Sequence, residues 1–270
     1  MRADKQIAGK SNKGEIRKMK SHTKSLIEKD LREDKRKFDE YRKIKVEYGV
    51  STSAEGSARV TMGETIVIAG VKMEIGKPFP DTPNEGVLIV NTELLPLSSP
   101  DFESGPPNIK AIELARVVDR GIRESGVIDT NKLCVKKGEE VWMIYIDIYP
   151  INSAGNLFDA TALAAIAALK DTKLPTLKDG KVDYKKRGTK ALPISGYPVE
   201  CTVYSIGNKL LIDPTTEEED LVEARLTVAT IDGKLCAMQK GGIKELEQEE
   251  IEKMIDLAAK KTEELRKLLK

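Results

Sequence analysis

The sequence has little of several residue types on which common active sites depend. Its 270 residues include one histidine, three cysteines and 4% aromatic residues. The single histidine, His22, lies in a basic N-terminal segment, so a nucleophilic triad has no suitable base. No two cysteines lie within four positions of each other, which excludes a paired-cysteine zinc site. The scarcity of aromatic residues also argues against a base-stacking platform.

Long apolar runs are missing as well. No run approaches the roughly 18 to 20 residues that a membrane-spanning helix needs, and the N-terminus lacks the apolar segment of a secretory signal. Three cysteines, Cys134, Cys201 and Cys236, cannot all form disulfides with one another. These absences predict a soluble, cytoplasmic protein that does not interact with a membrane.

Charge is balanced overall but unevenly distributed. The chain has 45 Lys and Arg against 44 Asp and Glu, a net charge of +1. Residues 1–45 contain 16 basic and 8 acidic residues, so this segment carries +8 and the remaining 225 residues carry −7. A basic segment of this kind suits a polyanion such as RNA, although most charged segments are simply solvated surfaces.

The pattern of apolar residues predicts strands followed by a helix, twice along the chain. Residues 1–20 are predicted to be disordered or a leader, and a short helix is expected from Ser21 to Arg32. Segments rich in β-branched residues predict strands at Ile44–Val50, Ser57–Met62, Thr65–Met73, Val87–Leu94, Val141–Ile151, Val199–Ile206, Lys209–Ile212, Ala224–Ile231 and Leu235–Met238. Helical spacing predicts helices over residues 109–124 and 157–169, and a last helix reaching Leu269 after Gly241 and Gly242.

This order of elements favours the α+β class, with two stacked β-sheet/helix subdomains. The first domain is expected over residues 21–190, including the N-terminal helix, and the second over residues 191–270, including the C-terminal helix. The polar segment 171–192 between them is the predicted linker.

Two groups of charged residues are candidate functional sites. The acidic segment Asp213–Asp220 follows a predicted strand and suits either Mg²⁺ or Mn²⁺ binding or a solvated turn that opens a short helix. Arg116, Arg120 and Arg123 share one side of a predicted helix, where they suit either phosphate contacts or a solvent-exposed surface. Composition alone does not decide between these alternatives.

Longer motifs resemble a known family. The segments Arg32–Ile44, Ala54–Ala58 and Met62–Val67 resemble the opening of the RNase PH family of phosphorolytic exoribonucleases. The resemblance covers residues 30–262 and is strongest to the non-catalytic RNase PH-like subunits of the archaeal exosome. It implies an RNase PH-like fold and a role in degrading RNA from the 3′ end with phosphate as the nucleophile.

The resemblance breaks at the positions that carry the family's chemistry. Active members have Gly, a small hydroxyl residue and Arg where this chain has Gly155, Asn156 and Leu157, so the arginine that holds the attacking phosphate is missing. Asp213 and Glu219 match two acidic positions, but Arg225 replaces a third. These departures imply that the chain has no catalytic residues and no metal site of its own.

The resemblance therefore implies a non-catalytic ring subunit that completes the active site of a catalytic RNase PH-like partner. The expected assembly is a hexameric ring of three heterodimers, with S1-domain cap proteins on one side and single-stranded RNA as the substrate. Phosphate, and Mg²⁺ where it is needed, belong to the partner's site, and this chain binds no cofactor. Arg116, Arg120 and Lys110 are the predicted RNA contacts. Alternatives are an active exoribonuclease and a pure scaffold that does not touch RNA.

Overall fold

The computed structural model describes residues 19–178, 181–182 and 188–269. In this part of the chain, helices lie between and beside two larger β-sheets. The first helix, α1, is seen over residues 19–28 and ends earlier than predicted. Its Ile27 packs against Tyr204, Ile206 and Leu211 of the second sheet. Residues 1–18 of the predicted leader lie outside the described residues, whereas residues 19 and 20 belong to α1.

The first sheet contains six strands, in the spatial order β1-β2-β3-β6-β4 with β5 paired to β6. The strands are β1 Ile44–Tyr48, β2 Gly56–Met62, β3 Thr65–Gly76, β4 Val87–Thr92, β5 Cys134–Lys136 and β6 Glu140–Asn152. The predicted antiparallel meander of β1, β2 and β3 is confirmed. A tight turn joins β2 to β3, and Gly63 supplies the positive φ of 57° that this turn requires.

The second sheet contains four strands in the order β10-β9-β11-β12, all antiparallel. Its strands are β9 Val199–Ile206, β10 Lys209–Ile212, β11 Ala224–Ile231 and β12 Lys234–Gly242, after a short hairpin of β7 Leu177–Lys178 and β8 Lys181–Val182. The bounds of β9, β10 and β11 are as predicted. The interpretation of Gly241 and Gly242 as a helix entry is wrong, because both residues pair with β11 and the next helix begins only at Gln248.

Two helices form a layer between the sheets. Helix α2, Ile109–Arg123, contacts β4 of the first sheet and β11 and β12 of the second, and α3, Leu157–Asp171, contacts strands of both sheets. Residues 159–169 of α3 are buried without exception, which suits an Ala-rich helix enclosed on all sides. Short α4, Thr216–Glu219, follows β10. Helix α5, Gln248–Arg266, packs on β9 and β11.

Strand β9 is buried on both faces and connects these layers. Its Cys201 and Val203 pack against Met254 and Ala258 of α5. The alternate residues face the middle layer, where the backbone N–H of Thr202 donates to Asp159 of α3. The predicted stacking of two sheet-and-helix units is therefore confirmed.

The predicted linker, residues 171–192, is only partly described. Its ends meet through a bridge between Lys173 and Ala191 and through the Leu192 N–H, which donates to the Thr172 carbonyl. Residues 179–180 and 183–187 lie outside the described residues, so the domain boundary near residue 190 stays a prediction. No described helix is both long enough and apolar enough to cross a bilayer.

Candidate functional site

Arginines from the N-terminal segment surround the carboxylate of Asp213. This residue follows β10 directly, is fully buried and has a positive φ of 46°. Its Oδ1 accepts hydrogen bonds from Arg42 at 2.6 Å and from the Asn156 amide at 3.2 Å. Its Oδ2 accepts from the Arg42 backbone N–H at 2.7 Å and from Arg36 at 3.0 Å. Both oxygens are thus fully engaged by protein donors.

A second buried ion pair lies beside the first. Arg32 donates from Nε and Nη2 to the two carboxylate oxygens of Glu218, at 2.9 and 2.6 Å, and both side chains are almost completely buried. Glu218 also accepts from the Thr215 N–H as part of the capping box that begins α4. The interpretation of the acidic segment as a solvated turn is therefore wrong for Asp213 and Glu218, since arginines take the place of water.

The carboxylate of Glu219 lies at the beginning of α3. The backbone N–H of Asn156, which precedes the helix in a left-handed conformation, donates to Glu219 Oε1 at 2.7 Å. Free N–H groups make this end of a helix favourable for an anion. Burial raises the pKa of Glu219, while the Asn156 N–H and the nearby charges of Arg42, Arg225 and Lys110 oppose that rise. The protein's own carboxylate thus occupies the position that favours an anion.

Leu157 lines a cavity of about 320 Å³ between α2, α3 and the acidic segment. Lys110, Glu219 and Arg225 line the same cavity. Arg225 forms an ion pair with Glu113 of α2, and its guanidinium carbon lies 4.4 Å from the centre of the Phe158 ring. The cavity therefore has an aliphatic side chain at the start of α3, and its most buried cation is already paired.

A buried hydrogen-bond network continues behind the cavity. Asp159 of α3 accepts from the Tyr41 hydroxyl at 2.7 Å, from the Thr202 N–H at 2.7 Å and from the Asn156 amide at 3.1 Å. Burial raises the pKa of Asp159 to about 7, against the lowering effect of these three donors. The Tyr41 hydroxyl lies 3.1 Å from Cys201 Sγ as well. The network fixes α3 between β9 and the N-terminal segment.

The predicted RNA-binding residues are all exposed but do not form one cluster. Lys110 lines the cavity beside Leu157, while Arg116 lines a separate groove of about 420 Å³ between α2 and β4. Arg120 stands one turn further along, at a small cleft between α2 and the second sheet. No ion pair is recorded for these three side chains within the described ranges. Arg123 differs, because it pairs with Asp119 and donates to the Leu88 carbonyl.

The described residues contain no group of three or more His, Cys, Asp or Glu side chains that could hold a metal ion. The hydrogen bonds explain this for the acidic segment, where arginines already use the oxygens of Asp213 and Glu218. The alternative of an Mg²⁺ or Mn²⁺ site on this segment receives no support from the geometry.

The basic half of the site was not predicted from the sequence. Arg36 and Arg42 belong to a segment that shows only the family resemblance, and their partner Asp213 lies more than 170 positions away. A signal was present, because a basic segment precedes one predicted strand and an acidic segment follows another. Nothing in local spacing indicates, however, which basic residues meet which acids.

Comparison with known proteins matches this arrangement to a family. Family models described as the 3′ exoribonuclease family, domain 1 and domain 2, match residues 40–175 and 196–261. The chain belongs to the RNase PH family.

Among RNase PH relatives, the chain is 50% identical over 246 residues to the Exosome complex component Rrp42 of Methanocella arvoryzae, covering 91% of this chain and 93% of that protein. A solved structure described as the Archaeoglobus fulgidus exosome with RNA bound to the active site contains a chain with a TM-score of 0.88 and 44% identity, covering 94% of this chain and 99% of that one. A chain of an archaeal exosome core gives a TM-score of 0.84 at 40% identity, covering 94% and 97%. The predicted resemblance to RNase PH-like subunits of archaeal exosomes is confirmed.

The buried pair of Arg32 and Glu218 leads to a stability prediction. Arg32→Met leaves a buried carboxylate without its cation, so the free energy of unfolding should fall by about 3 to 5 kcal/mol. The double variant with Glu218→Gln should recover part of this loss. Urea denaturation measures both. Lys132→Met, which breaks an exposed ion pair with Asp129, is the control and should change the free energy of unfolding very little. A change at Arg32 as small as that of the control would contradict the prediction.

The raised pKa of Asp159 leads to a pH prediction. The unfolded chain loses the proton near pH 3.8, whereas the folded protein keeps it to about 7. The contribution of Asp159 to the free energy of unfolding is therefore greatest at low pH and declines as the pH rises from about 4 to 7. From pH 5 to pH 8, the free energy of unfolding of the wild type should fall by roughly 2 to 3 kcal/mol relative to that of Asp159→Asn, as measured by urea denaturation. Parallel stability curves for the two proteins would contradict this.

Proposed function

We propose that this chain is a non-catalytic subunit of an exosome that degrades RNA from the 3′ end by phosphorolysis. Its relatives are components of archaeal exosomes, and the similar solved structure has RNA bound to the active site. The observation that carries the proposal is the aliphatic side chain of Leu157, which lines the cavity at the start of α3. Active members of the family are expected to hold phosphate here through an arginine, and the apolar side chain of Leu157 cannot bind an anion.

The other requirement for catalysis, a cluster of available carboxylates, is also unmet. Asp213 neutralises Arg36 and Arg42 instead of remaining free to bind a cation or a proton. Arg225 places a positive charge beside the same cavity. These contacts argue against the alternative in which the isolated chain is itself an active exoribonuclease.

The proposed assembly is a hexameric ring in the cytoplasm, built from three heterodimers with a catalytic RNase PH-like partner and covered on one side by S1-domain cap proteins. The partner binds the inorganic phosphate, and Mg²⁺ where it is needed, and carries out the cleavage. This chain shapes the partner's active site at the shared interface and contacts the entering single-stranded RNA.

Arg116 and Arg120 of α2, with Lys110 at its start, are the proposed RNA contacts. Their exposure and the lack of recorded ion pairs within the described ranges support this role. Guanidinium groups bind phosphate oxygens without regard to base sequence, which suits an enzyme that degrades many RNAs.

The first test compares the isolated chain with the ring. The isolated chain should release no nucleoside diphosphate from single-stranded RNA in the presence of phosphate, and mixing with the catalytic partner should give turnover. Leu157→Arg alone should not create activity, because Arg225 still replaces the third acidic residue of the active members. Phosphate-dependent shortening of RNA by the isolated wild-type chain would refute the non-catalytic assignment.

The second test addresses RNA contact. In the assembled ring, Arg116→Ala with Arg120→Ala should weaken RNA binding and lower the slope of log affinity against log salt by about 1.4, since each phosphate contact on a single strand contributes about 0.7. Lys253→Ala with Lys260→Ala removes two exposed cations from α5 as the matched control. An unchanged slope in the α2 variant would favour the scaffold alternative.

A further inference from the structure

A buried carboxyl group separates α2 from the second sheet. Glu200 on β9 is 4% exposed and points at Gly121 of α2. A Cβ atom added to Gly121 would lie 1.9 Å from Glu200 Oε1 and 2.9 Å from its carboxyl carbon. The helix backbone can therefore approach the carboxyl group only because residue 121 has no side chain.

The other oxygen of this carboxyl group is unusual. Glu200 Oε2 has no hydrogen-bond partner within the part of the chain that the structure describes. Glu200 lines a cleft of about 10 Å³ together with Val117, Arg120 and Thr227. That volume holds about one water molecule, so the carboxyl group has little room to turn aside.

Stability does not explain Glu200. A buried polar atom without a partner lowers stability, and an apolar side chain would avoid that cost. Burial, and to a lesser extent the charge of Asp159, raise the pKa of Glu200 well above its usual range, which favours the neutral form of the carboxyl group. Two other titratable groups near this contact are Arg120 and Cys236 of β12, whose Sγ lies 3.9 Å from the Gly121 carbonyl oxygen. Shape, rather than charge, is what Glu200 contributes.

The position of the contact connects it to RNA. Gly121 directly follows Arg120 and lies five residues after Arg116. We propose that Glu200 is a positioning residue for RNA binding. Its side chain packs against Gly121 as a spacer and so sets the distance of Arg116 and Arg120 from the second sheet. The inference rests on the proposed RNA contact of these two arginines and adds the residue that places them.

The test uses the ring assembled with its catalytic partner and single-stranded RNA. Gly121→Ala should push this turn of α2 outward and raise the Kd for RNA at least fivefold, although alanine otherwise favours a helix over glycine. The kcat at saturating RNA should stay unchanged, because the chemistry belongs to the partner. Adding Glu200→Ala to Gly121→Ala should return the Kd to within twofold of wild type, since the methyl group then occupies the space that the carboxyl group leaves.

Control variants separate the explanations. Gly70→Ala, whose new methyl group meets only Ala54 at 3.8 Å, should not change the Kd. Glu200→Gln keeps the shape and should bind RNA as wild type does, with the same salt slope. Glu200→Ala alone removes the spacer and should raise the Kd for RNA about threefold. This variant is the test if Gly121→Ala does not assemble into the ring.

The outcomes distinguish this inference from the proposed function. If Arg120→Ala weakens binding while Gly121→Ala and Glu200→Ala do not, the positioning role is refuted and the RNA contact stands. A loss of affinity in Glu200→Gln, or no recovery in the double variant, also refutes it. If Arg120→Ala and Arg116→Ala leave binding unchanged, the proposed RNA contact itself fails.

Discussion

The carboxylate of Asp213 joins three segments that are distant in sequence. Arg36 and Arg42 bring the N-terminal segment to it, and β10 supplies the residue itself. Arg42 also donates to the carbonyls of Ala154 and Gly155, so the same guanidinium fixes the loop that leads into α3. Because α3 lies between the two sheets, the position of its first turn depends on this one buried cluster of charges.

The same contacts give the acidic segment a structural role. A buried carboxylate needs cations or several donors to offset its lost hydration. Asp213 has two arginines, Glu218 has Arg32, and Glu219 has the free N–H at the start of α3. Each acid is satisfied by its neighbours, and none keeps the open coordination or proton-accepting position that a catalytic carboxylate requires.

Local patterns predicted much of the fold but little of this cluster. The bounds of β9, β10 and β11 follow from alternating β-branched residues, and α2 follows from helical spacing closed by basic residues. Long-range partners leave no such trace, because the pairing of Arg32 with Glu218 depends on how the N-terminal segment crosses the second sheet. The misplaced helix entry at Gly241 has the same origin, since pairing with β11 extends β12 through both glycines.

The two middle-layer helices therefore have different capacities to bind a partner molecule. Helix α3 is enclosed on all sides, and the start that would attract an anion is filled by Glu219. Helix α2 is buried on one side only, and its other side carries exposed Arg116 and Arg120. Phosphate groups on a flexible strand are best met by such accessible cations, whereas a free phosphate ion would need the enclosed site. These differences support the proposed contact with an RNA strand at the surface of α2 over the binding of a small nucleophile at the start of α3.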